Sequence, residues 1–141
     1  ALTTARERVR TEAPGAADRL RLVHDGHEAL ASHLDDAAVG TVGAVTFNLG
    51  YLPGGDHSFT TQPCTTRQAL DASLTVLRPG GRITVVAYPG HDGGRTEMEA
   101  VAAWASSLSQ ENARALAYRF VNQVNDPPRL YVIEKRDPDG Q

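Results

Sequence analysis

One strand and the loop that follows it decide the fold of this chain. Residues 41–57 read TVGAVTFNLGYLPGGDH. The apolar run from Thr41 to Phe47 predicts a buried strand. The loop that follows carries an amide, a phenol, a carboxylate and an imidazole: Asn48, Tyr51, Asp56 and His57. Because ligands of open α/β sheets bind beyond the carboxyl ends of parallel strands, this loop is the candidate active site.

Composition places the chain among ordinary globular proteins. Its 141 residues suffice for one domain with a real core, and 40% of them are hydrophobic and 22% charged. The single cysteine, Cys64, excludes an internal disulfide and a cysteine-based zinc site, and the histidine spacings match no metal-ligand motif. The chain has neither a membrane-spanning apolar run nor the apolar core of a signal peptide at its start, so we expect a cytoplasmic protein without a membrane partner.

The charge pattern leaves the question of nucleic acid open. A net charge of −3 argues against a uniformly positive surface, although a local patch would still suffice for an RNA. Lys135 is the only lysine, so nearly all cations are arginines. Arginine suits phosphate recognition, but a GC-rich genome produces the same bias and is the better explanation of it.

The order of predicted elements indicates an α/β protein. Strands and helices alternate up to the last two strands, which predicts a mostly parallel sheet with helices on both faces. The connection at residues 122–128 is too short for a crossover helix, so the last two strands should be antiparallel neighbours. Predicted helices cover residues 2–12 and 27–35 and begin at capping boxes at Thr65 and Thr96. Predicted strands cover residues 20–23, 41–47, 83–88, 116–121 and 130–134.

Three motifs carry a resemblance to a known family. They are Phe47–Asp56, Tyr88–His91 and Asn122–Pro128, which occur in this order. Together they resemble the YtqB-type family of rRNA methylases, whose members have the Rossmann-like class I fold of S-adenosylmethionine (SAM)-dependent methyltransferases. The resemblance implies a partial methyltransferase domain over residues 1–136 and a tail at 137–141.

The chain departs from the family pattern at its start. Members of the family begin with a strand, a glycine-rich turn, a helix and a second strand that ends in an acid. The turn and the acid hold the cofactor in that family. No G-x-G occurs in this sequence, and we therefore expect a fragment that lacks the N-terminal strand–helix–strand unit.

The resemblance implies a role for each candidate residue. Asn48 and a neighbouring backbone carbonyl, at Leu49 or Gly50, would hold the amine that accepts the methyl group, and Asp56 or His57 would accept a proton or anchor the substrate. Gly26, His27, Glu28, Asn48 and Leu49 would contact the cofactor, whereas Tyr51, His57, His91 and Asn122 would contact the substrate. Taken alone, the residues also fit structural roles: Asn48 as a turn cap, Gly26 as a helix cap, His91 in a solvated turn and Asn122 in a hairpin.

The implied function is methylation of RNA with SAM as the donor. The resemblance points to the aminomethyl group of a modified wobble uridine, with tRNA as the partner and a homodimer allowed. Two alternatives remain open: a methyltransferase acting on rRNA or on a small amine, and a non-catalytic module that binds RNA or a partner.

Overall fold

The computed structural model describes residues 2–51 and 60–137. Three α-helices lie at α1 (Leu2–Glu12), α2 (Pro63–Val76) and α3 (Gly94–Ser107). Four strands lie at β1 (Val42–Asn48), β2 (Leu77–Ala87), β3 (Ala113–Tyr118) and β4 (Arg129–Lys135). Short 3-10 helices cover Pro14–Arg19, His27–His33 and Asp36–Ala38.

The four strands form one mixed sheet in the order β1-β2-β4-β3. β1 and β2 are parallel, and β4 is antiparallel to both of its neighbours. Three strands therefore point the same way, and their carboxyl ends meet at one edge of the sheet. The predicted α/β class and the closing antiparallel hairpin are both confirmed.

The core lies between this sheet and one layer formed by α2 and α3. The side chains of Leu70, Leu77, Ile83, Val85, Val101 and Ile133 are at most 1% exposed. Trp104 of α3 lies at the border of the core and donates its indole N–H to Asp71 of α2 at 2.7 Å. The layer is thus fixed by apolar packing and by one directed hydrogen bond between the helices.

The prediction of helices on both faces is wrong for the described residues. α1 has no buried residue and packs against the 3-10 helix Pro14–Arg19. Its sequence offers only Leu2, Ala5 and Val9 as an apolar stripe, which is too narrow to hold a helix against a sheet. On the uncovered face, Thr46 is exposed and Thr84 and Val86 are half-buried.

Two further predictions before β1 are wrong in detail. Residues 20–23 form no strand, because a strand needs a hydrogen-bonded neighbour and β1 pairs only with β2 in the described part of the chain. Instead Arg21 Nη1 donates to the carbonyl of His33 at 2.7 Å. The predicted helix at 27–35 is a 3-10 helix, closed by bonds such as Leu34 N–H to Ala31 O at 3.2 Å.

Neither capping box closes its helix. α2 begins at Pro63, and the Thr65 hydroxyl donates to the Gln62 carbonyl at 3.1 Å. α3 begins at Gly94, after Gly93 with a left-handed φ of 76°. Pro63 starts α2 two residues early because proline has no N–H to lose and its φ suits the first helical position. Similarly, Gly93 supplies a turn that other residues disfavour, which places the start of α3 before Thr96.

No helix among the described residues is long and apolar enough to cross a membrane. β4 ends at Lys135, and most of the predicted tail lies outside the described residues.

Candidate active site

The candidate site lies where β1 and β2 end together. Asn48 is the last residue of β1, pairs with Val86 and has an exposed side chain. The next residue, Leu49, donates its N–H to the Val86 carbonyl at 2.9 Å and buries its side chain to 2% exposure. The amide of Asn48 is thus presented to solvent from a backbone that is fixed on both sides.

A buried carboxylate holds the beginning of the loop. Gly50 N–H donates to the Thr61 hydroxyl at 2.8 Å, and that hydroxyl donates to Glu97 Oε2 at 2.6 Å. The other oxygen, Oε1, accepts from the Thr66 hydroxyl at 2.6 Å. Glu97 is only 2% exposed. Hydroxyl–carboxylate distances of 2.6 Å are short, so both ends of the loop are tied to α3 by strong hydrogen bonds.

Backbone bonds close the same loop. Thr61 N–H donates to the Gly50 carbonyl at 3.2 Å, and Tyr51 forms an isolated antiparallel bridge with Thr60. Residues 50–51 and 60–61 therefore form the neck of the loop. Asp56 and His57, which we predicted to contact the substrate or accept a proton, lie outside the described residues.

His91 joins the loop after β1 to the loop after β2. Its ring meets that of Tyr51 edge to face, with centroids 5.6 Å apart. Its Nδ1 lies 2.9 Å from the Asp92 carbonyl, which can only accept a hydrogen bond, so Nδ1 carries a proton. Nε2 is buried and has no hydrogen-bond partner in the described structure. The sequence placed Tyr51 and His91 at one site, and the structure brings them into contact.

Gly50 and Gly94 make room for that imidazole. Gly50 has a φ of 127°, and a methyl group added to it would lie 3.3 Å from His91 Nε2. A methyl group on Gly94 would lie 2.7 Å from the same atom. Two glycines are therefore required for His91 to sit against the loop.

Asn48 also lines a cavity at the carboxyl end of β1. Its volume is about 350 Å³. Four of the residues predicted to contact the cofactor line it, together with several apolar side chains. The predicted residues are Gly26, His27, Asn48 and Leu49, and the apolar ones include Val23, Leu30 and Phe47. The volume falls within the range of small-molecule sites. We call it the cofactor-side cavity.

His27 lies between this cavity and the buried carboxylate. Its ring meets Phe47 edge to face at 5.9 Å, and its Nε2 lies 3.4 Å from the Thr66 hydroxyl. Glu28 does not line the cavity, but its carboxylate folds over Gly26, where it would lie 2.3 Å from an added methyl group. A chain of polar contacts thus runs from His27 through Thr66, Glu97 and Thr61 to Gly50.

The rim of the cofactor-side cavity carries an exposed ion pair. Asp25 Oδ2 lies 2.7 Å from His33 Nε2, and Asp25 Oδ1 accepts the Gly26 N–H at 2.8 Å. The hydrogen bond from His33, followed by that from Gly26, holds the pKa of the Asp25 carboxyl below its ordinary value. The carboxylate is therefore negative at neutral pH, which suits a cationic ligand.

Asn122 lies apart from the other predicted substrate residues. It is exposed on the connection between β3 and β4. Its neighbour Gln123 lines a small cavity with Pro89, which places this connection at the same edge of the sheet. The structure shows no contact between Asn122 and Asn48 or His91.

Sequence reasoning missed Glu97, Thr61 and Thr66. Glu97 stands in the first turn of α3, where an acidic residue is ordinary and usually exposed. A usable signal was present: Glu97 occurs one residue before Met98, which the helical period places in the core, so it lies near the buried stripe. Within residues 2–51 and 60–137 no group of histidine, cysteine and acidic side chains could hold a metal ion.

Comparison with known proteins gives the family. A family model described as "Putative rRNA methylase" matches residues 1–134. A curated chloroplastic tRNA (mnm(5)s(2)U34)-methyltransferase from Arabidopsis thaliana is 40% identical over 93 residues. That match takes in 66% of this chain but only 34% of the relative, so the chain spans about a third of its length.

Two solved structures share the fold. A putative rRNA methylase from Clostridium thermocellum is 40% identical, with a TM-score of 0.81 over 94% of this chain and 70% of that one. A putative methyltransferase from Streptococcus mutans, solved in complex with SAH, is 34% identical, with a TM-score of 0.82 over 95% of this chain and 69% of that one. The predicted family and the class I methyltransferase fold are thus confirmed. The chain belongs to the family described as "Putative rRNA methylase".

Proposed function

We propose that this chain acts in SAM-dependent methylation of RNA, on the aminomethyl group of a modified wobble uridine in tRNA. One observation carries the proposal: Asn48 lines the cofactor-side cavity and stands three residues before Tyr51, whose ring meets that of His91. A methyl donor on one side and an amine on the other would meet at this residue. The curated relative, named for a modified uridine at position 34 of tRNA, supports the choice of acceptor.

The residues of the cofactor-side cavity fit the adenosine part of SAM. Val23, Leu30 and Phe47 offer apolar walls for a flat base. Backbone at Gly26 and the side chains of His27 and Glu28 would hold the polar edge of the nucleoside. The carboxylate of Asp25 adds the negative charge that a sulfonium cation requires. When bound there, SAM supplies a methyl group on sulfur that is open to attack by a neutral amine.

Asn48 would orient the amine. Its side-chain oxygen and the backbone carbonyl of Leu49 can both accept N–H bonds, which turns the nitrogen lone pair towards the cofactor-side cavity. Such orientation is the main contribution that a protein makes to an in-line methyl transfer. The exposed amide of Asn48 is free to do this because the backbone of Leu49, and not the Asn48 side chain, secures the strand end to β2.

Tyr51 and His91 would receive the base. Tyr51 is 37% exposed, and its ring is held edge-on by His91. Aromatic rings are the usual platforms for unstacked RNA bases. Asp56 remains our candidate for the proton acceptor and His57 for a substrate contact. Asn122 is a proposed contact to the nucleotides beside the target, from the connection at the same edge.

Nucleoside analysis after reaction tests the proposal. Purified protein is incubated with SAM and with tRNA that carries an unmethylated aminomethyl wobble uridine, and the digested nucleosides are analysed by mass spectrometry. We expect a gain of one CH₂ unit on that nucleoside alone. A gain on rRNA but not on tRNA would make rRNA the acceptor, and no transfer to either RNA by protein that binds SAM would reject the proposal. That the protein is cytoplasmic, and that it can form a homodimer, stay predictions.

A further inference from the structure

A long groove runs between α3 and the outer strand β3. Its volume is about 720 Å³. Ala102 and Ala105 of α3 form one wall, and Ala115, Ala117 and Tyr131 lie across from them on the sheet. The alanines of β3 are exposed, since α3 covers only the beginning of this strand, at Ala113. Small side chains therefore leave a channel open along the edge of the sheet.

The groove concentrates positive charge. Four arginines line it, and none of the described residues that line it is acidic: Arg114, Arg119, Arg129 and Arg136. Elsewhere the arginines Arg82 and Arg95 form ion pairs with carboxylates. In the groove, Arg114, Arg119 and Arg129 make no ion pair with any described residue. The chain as a whole has a net charge of −3, so the positive charge of the groove is a local feature that would favour an anionic ligand.

Two of these arginines, Arg119 and Arg129, lie at the edge of the sheet that carries Asn48, whereas Arg114 lies in the row of Arg82 and Glu134, nearer the opposite end of the strands. Tyr118 pairs with Leu130, so Arg119 and Arg129 stand opposite each other one step further along the hairpin. Both also line the small cavity that contains Pro89, Phe120 and Asp126, and the Asp126 carboxylate is paired with Arg95. Like charges placed opposite each other on neighbouring strands destabilise a sheet, and a bound anion would relieve this repulsion.

Strand spacing gives the distance from the candidate site. Neighbouring strands lie about 4.8 Å apart, so Arg129 on β4 is about 10 Å from Asn48 across the sheet and Arg119 about 15 Å. A stacked nucleic-acid strand advances about 3.4 Å per nucleotide. The backbones of these two arginines therefore lie about three to four stacked nucleotides from a base held at Asn48.

We propose that this arginine groove binds the sugar-phosphate backbone of the substrate RNA on one side of the target nucleotide. The inference rests on the proposed function for its choice of RNA. Guanidinium groups match phosphate oxygens with paired hydrogen bonds, and Arg119 and Arg129, which form no ion pair with any described residue, fit a polyanion. The half-exposed ring of Phe120, beside Arg119 and Arg129, offers a neighbouring base a surface for stacking.

RNA binding under varied salt tests the groove. The full chain is titrated into a fluorescently labelled anticodon stem-loop RNA, and affinity is measured by anisotropy at several KCl concentrations. For Arg119→Ala with Arg129→Ala, we expect the slope of log affinity against log salt to fall by about 1.4, because each lost phosphate contact in a single strand contributes about 0.7. At 0.1 M salt this corresponds to a loss of affinity of about tenfold or more.

A control removes the same charge elsewhere. Arg67→Ala with Arg78→Ala changes two exposed arginines outside the groove, on α2 and at the start of β2. The slope of this control should stay close to that of the wild type. Equal losses in both double variants, an unchanged slope in the groove variant, or no RNA binding by the wild type would each overturn the proposal. So would a wild-type dimer in light scattering that becomes a monomer in the groove variant, because the groove would then hold a second copy.

Methyl transfer separates this inference from the proposed function. If the wild type binds RNA through the groove but transfers no methyl group, the proposed function fails and the groove stands. If transfer occurs, the groove variant should raise KM for RNA about tenfold at unchanged kcat. An unchanged KM would reject the groove while leaving the proposed function intact.

Discussion

The two sides of Asn48 are built in different ways. On the substrate side, the loop neck at Gly50 is tied by Thr61 to Glu97, a carboxylate that is 2% exposed. On the cofactor side, the cavity is walled by a segment of 3-10 turns whose ion pair, Asp25 with His33, is exposed. The substrate side is therefore held by a buried hydrogen-bond acceptor, whereas the cofactor side is held by an exposed pair.

Because of this difference, we expect substitutions on the two sides to affect different properties of the protein. Removing a buried carboxylate leaves its hydrogen-bond donors without an acceptor, and a buried donor without a partner is costly. A substitution at Glu97 should therefore displace the loop that it holds. An exposed pair in water is screened and worth little. Changes on the substrate side should therefore alter turnover and stability, whereas changes on the cofactor side should mainly alter ligand affinity. The following variants test that contrast.

Asn48→Ala should have the largest effect on turnover. We expect kcat to fall on the order of 100-fold or more, as for other side chains that act only on the reacting group. SAH affinity, measured by calorimetry, should stay within about threefold, because the cavity keeps its other walls. Asn48→Asp is the matched control, since it keeps an oxygen acceptor and should retain more activity than alanine. Full turnover by Asn48→Ala would remove this residue from the mechanism.

Gly50→Ala should come next. The φ of 127° costs about 1–3 kcal/mol for a residue with a side chain, and the new methyl group would press on His91 at 3.3 Å. A displaced loop should lower kcat by up to about 100-fold. Gly90→Ala, in the loop after β2, is the control, because its added methyl group would meet nothing within 4 Å. Equal turnover in the two variants would show that the backbone conformation of Gly50 is not needed to position the loop.

Glu97→Ala should destabilise the fold by about 2 kcal/mol, since two buried hydroxyls lose their acceptor. Chemical denaturation measures this loss, and Glu99→Ala on the exposed side of the same helix should leave the free energy of unfolding nearly unchanged. A positioning role also predicts that kcat falls more than SAH affinity. Partial recovery of kcat in Glu97→Gln, which keeps one acceptor, would support that role. If the Glu97→Ala variant were less stable but fully active, Glu97 would contribute to stability only and would not position the loop for catalysis.

The smallest effect should come from the exposed pair. The folded pKa of Asp25 is lowered by His33 and by Gly26 N–H, so its contribution to stability is present above the ordinary value of 3.8 and is lost as pH falls through the lower folded pKa. Asp25→Asn should therefore lower stability slightly at neutral pH, because an exposed pair contributes little, and the difference from the wild type should vanish as the pH falls below 3.8. A large loss at neutral pH would show that the cofactor side is also part of the rigid framework.

Local pattern predicted most elements of this fold. The apolar runs of β1, of β4 and of the second half of β2 lie where the sequence indicated, as do the helical stripes of α2 and α3. However, β2 begins at Leu77, six residues before the predicted start, and β3 covers Ala113–Tyr118 instead of 116–121. The short connection before Pro127 and Pro128 correctly predicted an antiparallel pair. These features succeed because each depends on residues that are close in sequence.

What failed depended on distant partners. Residues 20–23 have a strand-like composition, but a strand is formed only by a neighbour that hydrogen-bonds to it. Glu97 looked like an ordinary residue of a first helical turn because nothing local shows that Thr61 and Thr66 surround it. Likewise the meeting of Arg119 with Arg129 depends on the register of the hairpin, which the connection length alone does not give.

The central claim is that Asn48 divides a cofactor side from a substrate side. The most direct test is a pair of NMR titrations of the full chain, one with SAH and one with the aminomethyluridine nucleoside. SAH should shift the amides of Gly26, His27 and Leu49, the nucleoside those of Tyr51 and His91, and both ligands that of Asn48. If SAH instead shifted the loop of Tyr51 and His91 and left Gly26 and His27 unchanged, the assignment of the two sides would be wrong.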